Sequence, residues 1–306
     1  MPSLRDLAEL VRAPAALSVP GDVVAGAAAA DALDARVPGL AGASVLLYWA
    51  GMAANDWADR ELDARERPER PIPSGRVSPG LALGLSAGLT AAGIGLAGLA
   101  GGRRALAVAV PLAGAVWAYD LRAKNTAAGP AVMAACRGLD VLLGASRGRV
   151  VRAVPAALTV AAHTYTVTEL SRREVSGATR ALPAATLAGT AAVAAAAVAR
   201  PRRRPSPPAG GSLPADDAAG SVRPGWRALV PAALVGWYGL RYGGAQARVA
   251  ADPQASRVRA AVGAGITGLP ALQGALVARA GAAPLGVAVA AAAPLARRLA
   301  RWVSPT

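Results

Sequence analysis

The chain is 306 residues long, 54% of them hydrophobic and 17% charged, with a mean hydropathy of +0.37 and a net charge of +15. A soluble domain carries about a quarter charged residues, so this composition excludes an ordinary water-soluble enzyme. The arginines that supply the charge lie at the ends of apolar runs, where lipid headgroups and diphosphates are better partners than nucleic acid.

From the N-terminus, residues 1–10 hold Asp6 and Glu9 and lack the charged-then-apolar order of a signal peptide, so the first apolar stretch is expected to stay in the mature protein. Apolar runs long enough to cross a bilayer follow at 13–33, 39–56, 80–100, 105–120, 126–145, 153–170, 181–199, 227–244, 258–279 and 282–300. Their Ala- and Gly-rich composition suits closely packed membrane helices. Arg257, Arg259 and Gln273 interrupt the region after residue 226, where one segment is a candidate for partial insertion. The stretch 200–225 is rich in Arg, Pro and Gly and is expected to be a flexible loop within a single membrane domain covering 1–306. The lone Cys136 permits no internal disulfide. Basic residues divide evenly between the two faces, so charge bias does not set the orientation. Alternation does put the segments after the second, fourth and sixth spans on one face.

Those three segments carry the chemistry. Asn55, Asp59 and Asp63 end the second span at i, i+4 and i+8, one stripe of a helix. Oxygen donors on one stripe can form a wall of a Mg²⁺ site, and can equally be a solvated helix end paired with Arg60, Arg65 and Arg67. The next residues, Arg67-Pro68-Glu69-Arg70-Pro71-Ile72-Pro73-Ser74-Gly75-Arg76, are a stiff non-helical loop. An N-x-x-x-D-x-x-x-D stripe followed by an R-P-I-P-S-G loop resembles the UbiA superfamily of intramembrane prenyltransferases.

Three further segments extend the resemblance. Tyr119-Asp120-Leu121-Arg122-Ala123-Lys124 is similar to the family's Y-D-x-x-x-K, although a Tyr and a Lys at a span end also serve as interfacial anchors. Arg137 and Asp140, three residues apart in the fifth span, stand where the family has R-x-x-N, and mutual neutralisation is the plain alternative. The sixth span ends in Glu169-Leu170-Ser171-Arg172-Arg173-Glu174, where the family has D-x-x-x-D. Glu174 matches the later acid, whereas the earlier one falls on Leu170 with Glu169 beside it. His163 reads as a packed, hydrogen-bonded side chain. Asp22 either lines the cavity or pairs with Arg12.

The resemblance implies an all-α polytopic membrane bundle of about nine transmembrane helices around a central cavity. It implies Mg²⁺-assisted transfer of an isoprenyl group from a prenyl diphosphate to an aromatic or other small acceptor, with the polar mouth facing the cytoplasm. Asn55, Asp59 and Asp63 would hold one metal ion, and Glu174 with Glu169 another. Asp59, Asp63, Lys124 and Tyr119 would act in catalysis. Arg70, Asp120, Arg122, Arg137, Asp140 and Arg173 would join Asn55 in binding substrate. Two other readings stand beside this one: a protein of the same fold that binds or moves a lipid-like molecule, and a membrane alcohol phosphotransferase, which lacks its expected D-G-x-x-A-R run here.

Overall fold

The computed structural model describes residues 2–199 and 226–292. The expected loop at 200–225 lies outside the described residues, and so does the 293–300 end of the last expected span. All regular structure among the described residues is helical: α1 (Leu4–Leu10), a 3-10 turn (Ala13–Ser18), α2 (Pro20–Ala29), α3 (Val37–Ala58), α4 (Arg60–Glu66), α5 (Pro79–Ala118), a π-helical turn (Tyr119–Ala123), α6 (Gly129–Ala145), α7 (Val150–Ser171), α8 (Ala181–Val198), α9 (Trp226–Tyr238), a second π turn (Gly239–Gly243), α10 (Gly244–Ala251), α11 (Ala255–Arg279) and α12 (Ala283–Ala292).

The breaks have local causes. Gly102, at φ 65° and ψ −157°, divides α5 into legs at 79–101 and 103–118, which correspond to the two spans expected there. That backbone conformation is open to glycine at little cost and strains any residue with a Cβ. The expected first span at 13–33 is instead a 3-10 turn followed by the ten-residue α2. Pro20 has no N–H to continue a helix from its N-terminal side but sits well in the first turn of a new one. Four described helical stretches are long and apolar enough to cross a bilayer: Val37–Ala58, Pro79–Ala123 with its two legs, Ala181–Val198 and Ala255–Arg279. The others are shorter or more polar, so hydropathy alone does not yield the count of about nine.

Small residues set the packing. At Gly26 of α2 an added Cβ would lie 1.8 Å from the Val141 carbonyl oxygen of α6, and at Gly144 of α6 it would lie 1.9 Å from the Val23 oxygen. The two backbones therefore touch, which is how membrane helices gain dispersion contact without help from the hydrophobic effect. One buried group gathers Leu170, Tyr238, Tyr242, Leu272 and Leu276 around α7, α9 and α11. Another gathers Leu40, Leu47, Leu112 and Leu143 around α3, α5 and α6. His163 is packed as expected, with Nδ1 2.9 Å from the Tyr238 hydroxyl and its ring edge-on to Tyr242.

Candidate active site

The acidic stripe survives an interruption. Helix α3 ends at Ala58 and α4 starts at Arg60, yet Asp59 N donates to Asn55 O at 3.0 Å and Asp63 N to Asp59 O at 2.8 Å. Asn55, Asp59 and Asp63 thus stay one turn apart, but their side chains take separate partners. Asn55 donates to Asp120 Oδ1 at 3.1 Å, Asp59 pairs with Lys124 at 2.6 Å, and Asp63 accepts from Arg70 at 2.7 Å.

The proline-rich loop aims Arg70. Ser74 binds the Arg70 carbonyl through both its N–H and its hydroxyl, and Val77 N donates to Pro71 O at 2.9 Å. Ile72 is buried with Leu10, Ala53 and Val77, which fixes the loop against α1 and α3. From this base the Arg70 guanidinium reaches both Asp63 and Asp56, and Asp56 also accepts from Arg12 at 2.9 Å. Asp56 and Arg12 were not among the expected site residues. The signal was present, since Asp56 is an acid inside an apolar span, but its partners come from segments 44 and 14 residues away.

The π turn presents the second motif. Lys124 N bonds Tyr119 O at 3.0 Å, the wider winding that often marks functional positions in helices. Asp120 is buried and Tyr119 half-buried, and both line a cavity of about 90 Å³ between α3, α5 and α6. Leu47, Met52, Leu112, Val116 and Met133 make most of its wall apolar. Lys124 Nζ is buried and makes no hydrogen bond beyond its ion pair with Asp59, so N–H donors remain for another anionic oxygen. Arg122 is exposed, and no ion pair or hydrogen bond joins it to this cluster among the described residues.

At the inner end of the cavity, Arg137 and Asp140 do not neutralise each other. Arg137 Nε lies 2.8 Å from Asp22, while Asp140 accepts from the Ser44 hydroxyl. Gln273 of α11 donates to Asp22 at 2.6 Å, so Asp22 pairs here rather than with Arg12. A spacing of i, i+3 allowed the pairing expected within α6. The carboxylate offered by α2, across its close contact with α6, took Arg137 instead.

The third segment reaches the same face: Arg172 donates to the Thr126 carbonyl just past Lys124. Its two acids have different neighbours. Leu170 is fully buried in the core, and Glu169, one residue round the helix, interacts with Tyr165. Glu174 is half-buried, and partial burial raises its carboxyl above the usual range against the pull of Arg259 and Arg67. Arg173 is exposed.

Among the described residues, no three Asp, Glu, His or Cys side chains come together as a metal cage. Mg²⁺ commonly takes only one or two carboxylates and completes its shell with water and substrate phosphate. The first segment fits that mode: Asp59 is 24% exposed at the mouth, and Asn55 and Asp63 lie a turn to either side. In the third segment Glu169 and Glu174 take different neighbours, Tyr165 for the one and Arg259 with Arg67 for the other.

An apolar cavity bordered by Asp120, Arg137 and Asp140, held in a bundle with several helices long and apolar enough to cross a bilayer, marks an integral membrane protein. The UbiA prenyltransferase family model matches residues 18–171, and the chain belongs to that family. It is 54% identical over 57 residues to digeranylgeranylglyceryl phosphate synthase of Methanothrix thermoacetophila, covering 19% of this chain and 21% of that one. Identity to the protein of the same name from Ignicoccus hospitalis is 37% over 123 residues, 40% of each chain. To the bacteriochlorophyll synthase 33 kDa chain of Rhodobacter capsulatus it is 51% over 45 residues, 15% of this chain and 14% of that one. The matched stretches thus span well under half of these relatives. Two solved structures share the fold. One is of digeranylgeranylglyceryl phosphate synthase in membranes, with TM-score 0.63, 15% identity and 90% and 98% of the two chains covered. The other is an apo UbiA homolog from Aeropyrum pernix, with TM-score 0.51, 20% identity and 94% and 97% covered.

Proposed function

We propose that this protein is a membrane prenyltransferase that moves an isoprenyl group from a prenyl diphosphate to a small acceptor. The observation that carries the reading is Lys124, whose Nζ is buried, paired with Asp59 and still holding free donors one turn past Tyr119 and Asp120, which line an apolar cavity. Diphosphate oxygens would take those donors, and the isoprenyl tail would lie along Leu47, Leu112, Val116 and Met133.

Asp59 and Asp63, with Asn55, would hold Mg²⁺, which supplies positive charge to the diphosphate as it leaves. Lys124 stabilises the same developing charge from a fixed position, so little reorganisation is needed in the transition state. Arg70 and Arg12 keep Asp63 and Asp56 in place. The allylic C–O bond breaks with its electron pair leaving on the diphosphate, and the acceptor gives an electron pair to the allylic carbon and loses a proton. Tyr119 and Asp120 border the cavity where that carbon would sit. Glu174, with Glu169, would hold a second metal ion, and Arg67, which pairs with Asp63, also acts on Glu174. The mouth is expected to face the cytoplasm.

The name digeranylgeranylglyceryl phosphate synthase, carried by two of these relatives, makes geranylgeranyl diphosphate the first donor to try. Purified protein in lipid, supplied with a membrane extract as acceptor, is expected to release pyrophosphate only with Mg²⁺, and Asp59→Ala should abolish release. If wild type and Asp59→Ala are equally silent across several prenyl lengths, the reading fails and a lipid-binding role takes its place.

A further inference from the structure

On the outer surface, α10, the second π turn and α11 border a groove of about 540 Å³ lined by Arg241, Arg248, Ala260, Gly263, Ala264 and Thr267. It is separate from the cavity below the mouth and shares no lining residue with it. Both arginines are exposed, and neither has an acidic partner among the described residues. The nearby basic residues are engaged: Arg257 pairs with Asp252 at 3.1 Å, and Arg259 donates to Glu174 O at 2.9 Å. Arg241 instead lies against the Trp237 ring, 5.7 Å from its centroid.

Position makes the missing partner significant. The chain just past α10 is bonded to the mouth side, with Ala178 N donating to Pro253 O at 3.0 Å. Arg248 lies within a turn of that end, whereas Arg241 is ten residues from Ala251, about 15 Å down the helix. Leu240 beside it is 80% exposed, as expected for a lipid-facing surface. A guanidinium at that depth without a counter-ion is costly, and it can relieve the cost by reaching toward the interface or by meeting an anion.

We infer that this groove is a binding site for an anionic phospholipid. The seven-residue spacing puts Arg241 and Arg248 near one face, about 10 Å apart along the axis. Arg248 at headgroup level would meet the lipid phosphate, with its paired donors suited to phosphate oxygens, and Arg241 below would draw the headgroup into the groove. Ala260, Gly263 and Ala264, with one-carbon side chains or none, leave room for an acyl chain. Thr267 already donates to Gly263 O at 2.8 Å and so makes no competing demand. Basic pockets between membrane helices take acidic lipids in this way.

The test is native mass spectrometry of the purified full-length protein offered phosphatidylglycerol or phosphatidylcholine of identical acyl chains. Wild type is expected to retain one phosphatidylglycerol in preference, and Arg241→Gln with Arg248→Gln to lose that preference by roughly twentyfold, each arginine contributing about fivefold. Arg103→Gln with Arg104→Gln removes the same charge at the far turn of α5 and should leave the preference intact. Equal retention of the two lipids by wild type, or equal losses in both double variants, would overturn the inference. So would displacement of the lipid by millimolar inorganic phosphate, since the groove would then be a free-phosphate site. Melting temperature, read in parallel, shows that the variants remain folded.

Discussion

Arg137 illustrates how a membrane interior constrains single residues. Its guanidinium serves Asp22, which is fully buried and held from the other side by Gln273. Removing one member of a buried pair leaves the other charged and without compensation, at a cost of about 3–5 kcal/mol. Arg137→Leu is therefore expected to lower the thermal midpoint in detergent sharply, and adding Asp22→Asn should recover much of the loss. If the double variant is no more stable than the single one, the pair is not the source of the cost. Asp140 differs, because its hydrogen bond comes from a serine, Arg137 lies near it without forming an ion pair, and its Oδ2 has no hydrogen-bond partner. Sequence placed both charges in one helix, three residues apart, but could not show that each would turn to a different neighbour.

At the scale of elements, close backbone contact and end-docking do the most. A Cβ at Gly144 would lie 1.9 Å from the Val23 carbonyl oxygen, which has no side-chain freedom with which to yield. Gly144→Ala must push α2 and α6 apart and is expected to destabilise the bundle by about 1–3 kcal/mol, read as a drop in midpoint with helical content retained. An unchanged midpoint would mean that the two helices separate freely. Helix α1 is held from outside the bundle: Arg76 of the proline-rich loop grips Asp6 at 2.7 Å and Glu9 at 2.8 Å. The Ser3 hydrogen bond, then Arg76, lowers the Asp6 carboxyl from the ordinary 3.8 to about 2. A carboxyl depressed in the folded state stabilises above its unfolded value and loses that contribution as pH falls through its folded one. Hydrogen-exchange protection across residues 4–10 should accordingly be steady above about pH 4 and fall toward pH 2. Asp6→Asn should remove most of that pH dependence, and a wild-type profile flat to pH 2 would refute the docking account.

For the whole molecule, the arrangement of faces is the property to test. Lys124 meets Asp59, Arg172 meets Thr126 and Arg259 meets Glu174, which joins the ends of α3, α5, α7 and the start of α11 on one side. Gly102 turns α5 at the opposite end. Single cysteines from Glu66→Cys, Ala127→Cys and Ser176→Cys should all react with an impermeant maleimide from one side of the membrane, and Arg103→Cys from the other. The native Cys136 is buried and adds little background. Labelling of the first three positions from different sides would rule out a common mouth.

The sequence by itself determined the class of fold, the helical stretches and the polar segments at their ends, because hydropathy, proline and glycine act locally. It also singled out Asn55, Asp59, Asp63 and Lys124 as the likeness to a family required. Only the tertiary structure decided the partners: Asp59 with Lys124, Arg70 shared between Asp63 and Asp56, and Arg137 turned to Asp22. It also decided that Leu170 goes into the core while Glu169 turns to Tyr165. Helical spacing states which residues share a face of one helix. Which charge answers which depends on how neighbouring helices approach, and the small residues that permit that approach carry no polar signal of their own.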